Sequence, residues 1–153
     1  MRLSDVLTED NIIAELKARE KGAVLDEMVT GLAARMSGLD AAKTLEAVLD
    51  RERLGTTGIG HGVAVPHGKC KGIAGVKVFF GRSRNGVDFN SLDREPVYLV
   101  FLIIAPEGAP AAHLKALAGI SHLLKSHDLR QSLLKAESVG EIYRIIAEAD
   151  RRA

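Results

Sequence analysis

Eight consecutive residues, Val97-Tyr98-Leu99-Val100-Phe101-Leu102-Ile103-Ile104, leave this chain few ways to fold. Successive side chains of a strand point to opposite faces, so a strand with one wet face alternates apolar and polar residues. This run does not alternate. It is rich in β-branched and aromatic residues and much shorter than a membrane span. It is therefore expected at the centre of a sheet, with a covering layer on each face.

Helical periodicity on both sides of the run supplies those layers. Ahead of it, Leu3 to Lys21 predicts a first helix with Thr8 as N-cap, carrying Val6, Leu7, Ile12, Ile13 and Leu16 and ended by Gly22. Val24, Leu25, Met28, Val29, Leu32 and Met36 predict a second, with Gly38 past its end. Asp40 is placed to cap a third, through Leu45, Val48 and Leu49 towards Gly55. Behind the run, Leu114 to Leu124 and Leu129 to Leu134 predict two helices. A Ser138/Glu141 capping box opens another at Ile142, Ile145 and Ile146. Further strands are expected at Val63–Val65 and Val76–Phe80, and Asn85-Gly86 predicts a turn before Val87-Asp88-Phe89. The hairpin signal favours a mixed sheet. The expected fold class is α/β: one layered domain over residues 1–153, its mixed sheet flanked by helices on both faces.

At 153 residues, 46% of them hydrophobic and 27% charged, the chain can bury a substantial core. A net charge of +1 gives no field suited to nucleic acid or anionic membrane, and Trp is absent. A lone cysteine, Cys70, excludes an internal disulfide. With no secretory leader and no long apolar span, a cytoplasmic location without membrane insertion is expected.

Chemistry concentrates in Thr57-Gly58-Ile59-Gly60-His61-Gly62-Val63-Ala64-Val65-Pro66-His67-Gly68-Lys69. Proline lacks an amide proton and fixes φ, so the strand must stop or lie on an edge at Pro66. Gly68 permits close approach of another segment. His67 is thereby held at a strand end, where pockets of α/β sheets open. Its imidazole, with an ordinary pKa near ~6.5, is largely neutral and nucleophilic at neutral pH. A hydrogen-bonded structural histidine explains the same pattern. Gly58, Gly60 and Gly62 do not form a nucleotide cradle, because a strand follows them where a phosphate needs a helix N-terminus. They read as a turn packing near His67. His61 and His67, six apart, are expected to share a face. The five histidines lack the partners of a metal site, so no metal is expected. His122 and His127 suit helix positions near an end. Cys70 reads as a small buried or strand-edge residue.

Arg51-Glu52-Arg53-Leu54-Gly55-Thr56-Thr57-Gly58-Ile59-Gly60, continuing through Val65-Pro66-His67-Gly68, closely resembles the fructose/mannitol-type enzyme IIA domains of the bacterial phosphotransferase system. It looks most like their nitrogen-regulatory branch. The resemblance spans nearly the whole chain. It implies that His67 accepts a phosphoryl group from a phosphorylated histidine-containing carrier protein, with one ring nitrogen attacking and the other oriented by a neighbour. Ala112-His113-Leu114 occupies the place of the family's second active-site histidine, so His113 is expected to donate a hydrogen bond to the phosphoryl oxygens. Arg51 matches the family's active-site arginine and would supply a permanent positive charge in a fork suited to them. No cofactor is implied, since the donor is a phosphohistidine.

Two functions fit that resemblance. One is a regulatory phosphocarrier that controls protein targets by its phosphorylation state. The alternative is a sugar-transport IIA component passing phosphate to a IIB domain. These 153 residues hold no second α/β unit with a nucleophilic cysteine, so sugar-directed transfer would require a separate protein. A fold-retaining binding module without chemistry is a third reading, and retention of Arg51, His67 and His113 together opposes it. His61 and Lys69 are expected to flank the site with Arg51 and to sense the roughly −1.5 to −2 charges of a phosphoryl group.

Overall fold

Strand β6 (Val97–Pro106) is the spine of a mixed sheet in the computed structural model, which describes residues 2–152. On one side it pairs antiparallel with β5 (Lys77–Val87). On the other it pairs parallel first with β3 (Val63–Ala64) and then with β4 (His67–Cys70). The edges are β1 (Ile12–Ile13), parallel to β5, and β2 (Gly58–Gly60), antiparallel to β3.

Each residue from Leu99 to Ala105 is at most 1% exposed, as its uninterrupted apolar run requires. Leu99, Phe101, Ile103 and Ala105 face one core with Ala116 and Ile120 of α3 (Pro110–Leu123), Leu133 of α4 (His127–Lys135) and Ile142 and Ile146 of α5 (Val139–Arg152). Val100, Leu102 and Ile104 face the other with Val24, Leu25, Met28 and Leu32 of α1 (Lys21–Ala34) and Val48 of α2 (Ala41–Leu54). Burying each such side chain contributes about 1.5–3 kcal/mol. The expected α/β architecture, a mixed sheet with helices on both faces, is the one observed. No helix of the described residues is long and apolar enough to cross a membrane.

Local signals fix several ends. Asp40 Oδ1 accepts from Lys43 N at 3.0 Å, and Ser126 Oγ from Leu129 N at 3.2 Å. Ser138 Oγ accepts from Glu141 N at 3.1 Å, while the Glu141 carboxylate reaches Glu137 N rather than closing the box on Ser138.

Two expected elements fail, and Gly22, expected to end a helix, lies inside α1. The first helix, Leu3 to Lys21, is absent: 3₁₀ turns at Leu3–Asp5 and Glu9–Asn11 lead into β1, and Thr8 makes no side-chain cap. Two long helices therefore precede the glycine loop, not three. Ile12 opposite Phe80 completes the sheet while Leu3 and Leu7 enter the core, and this tertiary gain overrides a short amphipathic pattern. Asn85-Gly86 likewise does not end its strand. The register shifts between Arg82 and Val87, and the dipeptide lies inside β5 as a bulge, with Gly86 at φ 83° and Val87 still opposite Val97.

Arg82 of β5, 1% exposed, ties three segments together. Its Nε donates to Ala14 O at 3.0 Å, and its Nη1 to Leu133 O at 2.8 Å and to Ala136 O just past the end of α4. The guanidinium thus caps carbonyls that a helix end leaves unpaired.

Candidate functional site

Pro66 interrupts the strand without ending it. Its carbonyl accepts from Ile103 N at 3.0 Å, and pairing with β6 resumes at His67 opposite Ile103. His67 therefore starts β4 rather than finishing β3. Gly68 is where α2 meets the sheet: a Cβ there would lie 3.1 Å from Val48 Cγ2 and 3.3 Å from Val48 N. That close approach brings Arg51, in the last turn of α2, to His67. On the far side β6 ends at Pro106, and α3 starts with Pro110 at its first position. Proline suits that position, where an amide has no helical partner. His113 follows in the first turn and is buried.

The three residues singled out from the sequence converge. The His67 and His113 ring centroids are 5.0 Å apart, edge to face at 81°. Both rings line a cavity of about 680 Å³ with Arg51, Lys69, Leu54 and Leu114. Arg51 Nη1 donates to Gly55 O at 2.9 Å across the end of α2.

His67 Nδ1 lies 2.9 Å from Val65 O. A carbonyl can only accept, so Nδ1 carries the proton and Nε2 keeps its lone pair. Burial is the main influence holding the His67 pKa below the ordinary histidine value. The Val65 hydrogen bond opposes it, the Arg51 charge adds to it, and the Glu52 charge opposes it. His113 is lowered as well, by burial first and then by His67 and Lys69. Both rings are consequently neutral at neutral pH.

His61 lies elsewhere. With φ 56° it forms a turn with Gly62 (φ 79°), and its amide donates to Asp93 Oδ2 at 3.1 Å. It does not line the cavity. Six residues share a face only along an unbroken strand, and here a turn precedes Val63 and a break follows Ala64. The glycine loop is the β2–β3 hairpin rather than a turn against His67, and it connects to that ring through Val65, whose amide donates to Thr57 O at 2.9 Å. Cys70 ends β4, half-buried, with Sγ 3.2 Å from Thr44 Oγ1. Among the described residues no group of three or more His, Cys, Asp or Glu side chains is placed to hold a metal ion.

Two rim residues are apolar. Leu114, which falls among the apolar positions of its helix, is 66% exposed at the cavity mouth, and Leu54, off the apolar face of Leu45, Val48 and Leu49, is 85% exposed beside it. A large apolar residue next to a helix terminus, as Leu54 is to Gly55, is the signal that marks the second.

Known proteins resemble this chain in sequence and in fold. The family model described as "Phosphoenolpyruvate-dependent sugar phosphotransferase system, EIIA 2" matches residues 5–149. A fructose-specific EIIABC component from Bacillus subtilis is 43% identical over 153 residues, 99% of this chain; the chain spans only 24% of that protein. A nitrogen regulatory protein of Bradyrhizobium diazoefficiens is 40% identical over 147 residues, covering 96% of this chain and 95% of its own length. The crystal structure of nitrogen regulatory protein IIA-Ntr from Neisseria meningitidis superposes with a TM-score of 0.87 at 31% identity, covering 94% of this chain and 98% of that one. Sheet, helices and near full-length identity agree, and the chain belongs to the EIIA type 2 family of the phosphoenolpyruvate-dependent sugar phosphotransferase system.

Proposed function

We propose that the chain works as one IIA domain that carries a phosphoryl group on Nε2 of His67, taken from a phosphorylated histidine-containing carrier protein, and that its phosphorylation state controls protein targets. The observation that carries this reading is the Val65 carbonyl on Nδ1, which leaves Nε2 as the nucleophile. In the transfer the donor's P–N bond breaks, its electron pair returns to the donor nitrogen, and Nε2 forms the new bond. The Nδ1 proton stays on the ring, so the phosphorylated imidazole is cationic while Val65 O holds that proton. Arg51, Lys69 and His113 line the space where phosphoryl oxygens would sit. Stabilising charge on those oxygens is most of the catalytic task. The regulatory role follows the nitrogen regulatory relatives that this chain matches along their length.

Incubation with a phosphorylated carrier protein tests this directly. We expect an acid-labile label on His67; an acid-stable label, or full labelling of His67→Ala, overturns it. Partner affinity should differ at least about tenfold between the two forms, or 1.4 kcal/mol. Equal affinity defeats the regulatory part. The fructose-specific relative supports the alternative of a transport component, which phosphate passing from His67 to a IIB cysteine would favour.

A further inference from the structure

Glu52, the residue after Arg51, turns away from the cavity into the protein and is 8% exposed. Its carboxylate accepts from Thr57 N at 3.2 and 3.3 Å and from the Thr57 hydroxyl, and it is ion-paired with Lys21 of α1. Lys21 Nζ also donates to Phe89 O at 3.3 Å and lies 5.4 Å from the Phe89 ring centroid. A buried carboxylate with this many donors is a fixed point. From it a short ladder runs to the reacting ring. Thr57, gripped by Glu52, accepts from Val65 N through its carbonyl at 2.9 Å, and Val65 O accepts from His67 Nδ1 at 2.9 Å.

We propose that Glu52 is a positioning residue for His67, acting through Thr57 and Val65 to keep the Val65 carbonyl on Nδ1 in both the free and the phosphorylated protein. The inference rests on the phosphocarrier reading above and adds a residue to it. When phosphoryl leaves, the P–Nε2 bond breaks, the electron pair returns to Nε2, and a neutral imidazole with its proton on Nδ1 remains. That route needs the Nδ1 proton in place beforehand. A fixed anion behind the ladder favours the protonated ring, and the Glu52 charge does oppose the lowering of the His67 pKa. The other ionisable groups around this assembly are Asp50 and Arg51 of α2, Lys69 of β4, His113 of α3 and Lys21 of α1.

The test compares wild type with Glu52→Gln, which keeps the size of the side chain and removes its charge. Histidine-ring ¹⁵N NMR of the unphosphorylated protein reads tautomer and titration midpoint, and single-turnover kinetics read phosphoryl transfer. We expect the Nδ1–H tautomer of His67 in wild type. In Glu52→Gln we expect loss of that preference and a midpoint lower by about half a pH unit. Transfer should slow about tenfold in both directions with unchanged KM for the donor, since Glu52 does not reach the cavity. If Glu52→Gln fails to fold, Lys21→Met/Glu52→Gln, which leaves no unpaired half-buried cation, replaces it. A folded variant with wild-type His67 tautomer and midpoint overturns the proposal. Unfolding of both variants also overturns it, by reducing Glu52 to a fold-holding residue. Absence of His67 phosphorylation in wild type would instead refute the phosphocarrier reading, while the NMR comparison would still judge Glu52.

Discussion

The two ends of β6 use their backbone differently. At its C-terminal end, His67, His113 and Arg51 sit on a strand start, a helix first turn and a helix last turn. At its N-terminal end lie the non-glycine residues of positive φ among those described: His61 (56°), Asn90 (54°) and Arg94 (62°). Such conformations cost about 1–3 kcal/mol each and cluster at functional sites in many proteins. Here His61 fastens its turn to the neighbouring loop through its amide on Asp93 Oδ2, and Asn90 and Arg94 shape that loop, their amides donating to Asp88 Oδ1 and Ser91 O. The His67 and His113 rings are held by packing of regular elements, which fixes geometry more tightly than a loop does. In this molecule unusual backbone marks closure of the fold, and close packing marks the proposed phosphoryl site.

The sharpest way to break that contrast is to delete one histidine at each end. His67→Ala should abolish phosphoryl acceptance, whereas His61→Ala should leave it unchanged; comparable loss in both would mean that the far end takes part. Arg51→Ala should come next, raising the barrier to acceptance by about 2–4 kcal/mol through loss of a charge-assisted contact. Single-turnover rates with a phosphorylated carrier measure both.

Glycine substitutions probe the packing itself. A Cβ on Gly58 would lie 2.1 Å from Ser91 Oγ, so Gly58→Ala should cost about 1–3 kcal/mol in denaturant unfolding while sparing acceptance by the folded protein. Gly68→Ala presses on Val48 and so on the helix bearing Arg51. It should lower stability and the acceptance rate together. Equal sparing of acceptance would show that the α2–β4 contact does not position the site.

The smallest effect is with pH. Burial lowers the pKa of both His67 and His113 in the folded state, so below about pH 6.5 the unfolded chain binds protons that the folded protein refuses. Stability should fall as pH drops from about 6.5 through the depressed folded values and then level off. His67→Ala/His113→Ala should show a shallower slope across that window. An unchanged slope would mean that the cavity does not hold the rings neutral.

What could be read from sequence divides along physical lines. Burial of Leu99 to Ile104 on both faces was legible because nothing but a central strand accommodates such a run. Convergence of Arg51, His67 and His113 was legible through resemblance; periodicity alone places them on separate elements. The stretch 3–21 misled because its apolar residues fit a helix locally while Ile12 gains more as a sheet partner of Phe80. Asn85-Gly86 misled because a bulge needs the same left-handed glycine as a hairpin turn. His61 misleads because alternation places residues on one face only along an unbroken strand, and a turn and a break separate it from His67. Glu52 stands in the run that carries the resemblance, but nothing in that run gives it a role of its own, and only its contacts with Lys21 and Thr57 mark it as interior.

The Arg82 clamp bears on how the protein opens. Helix α4 is only nine residues long, a length that has little stability alone, and ordinary fluctuation would fray it. Releasing its end, however, would strand a buried guanidinium without the Leu133 and Ala136 carbonyls, at a cost of several kcal/mol. Partial opening of that corner is therefore disfavoured relative to loss of the sheet edge with it. Amides of α4 should exchange with solvent together with those of β1 and β5, as one cooperative unit spanning residues far apart in the chain.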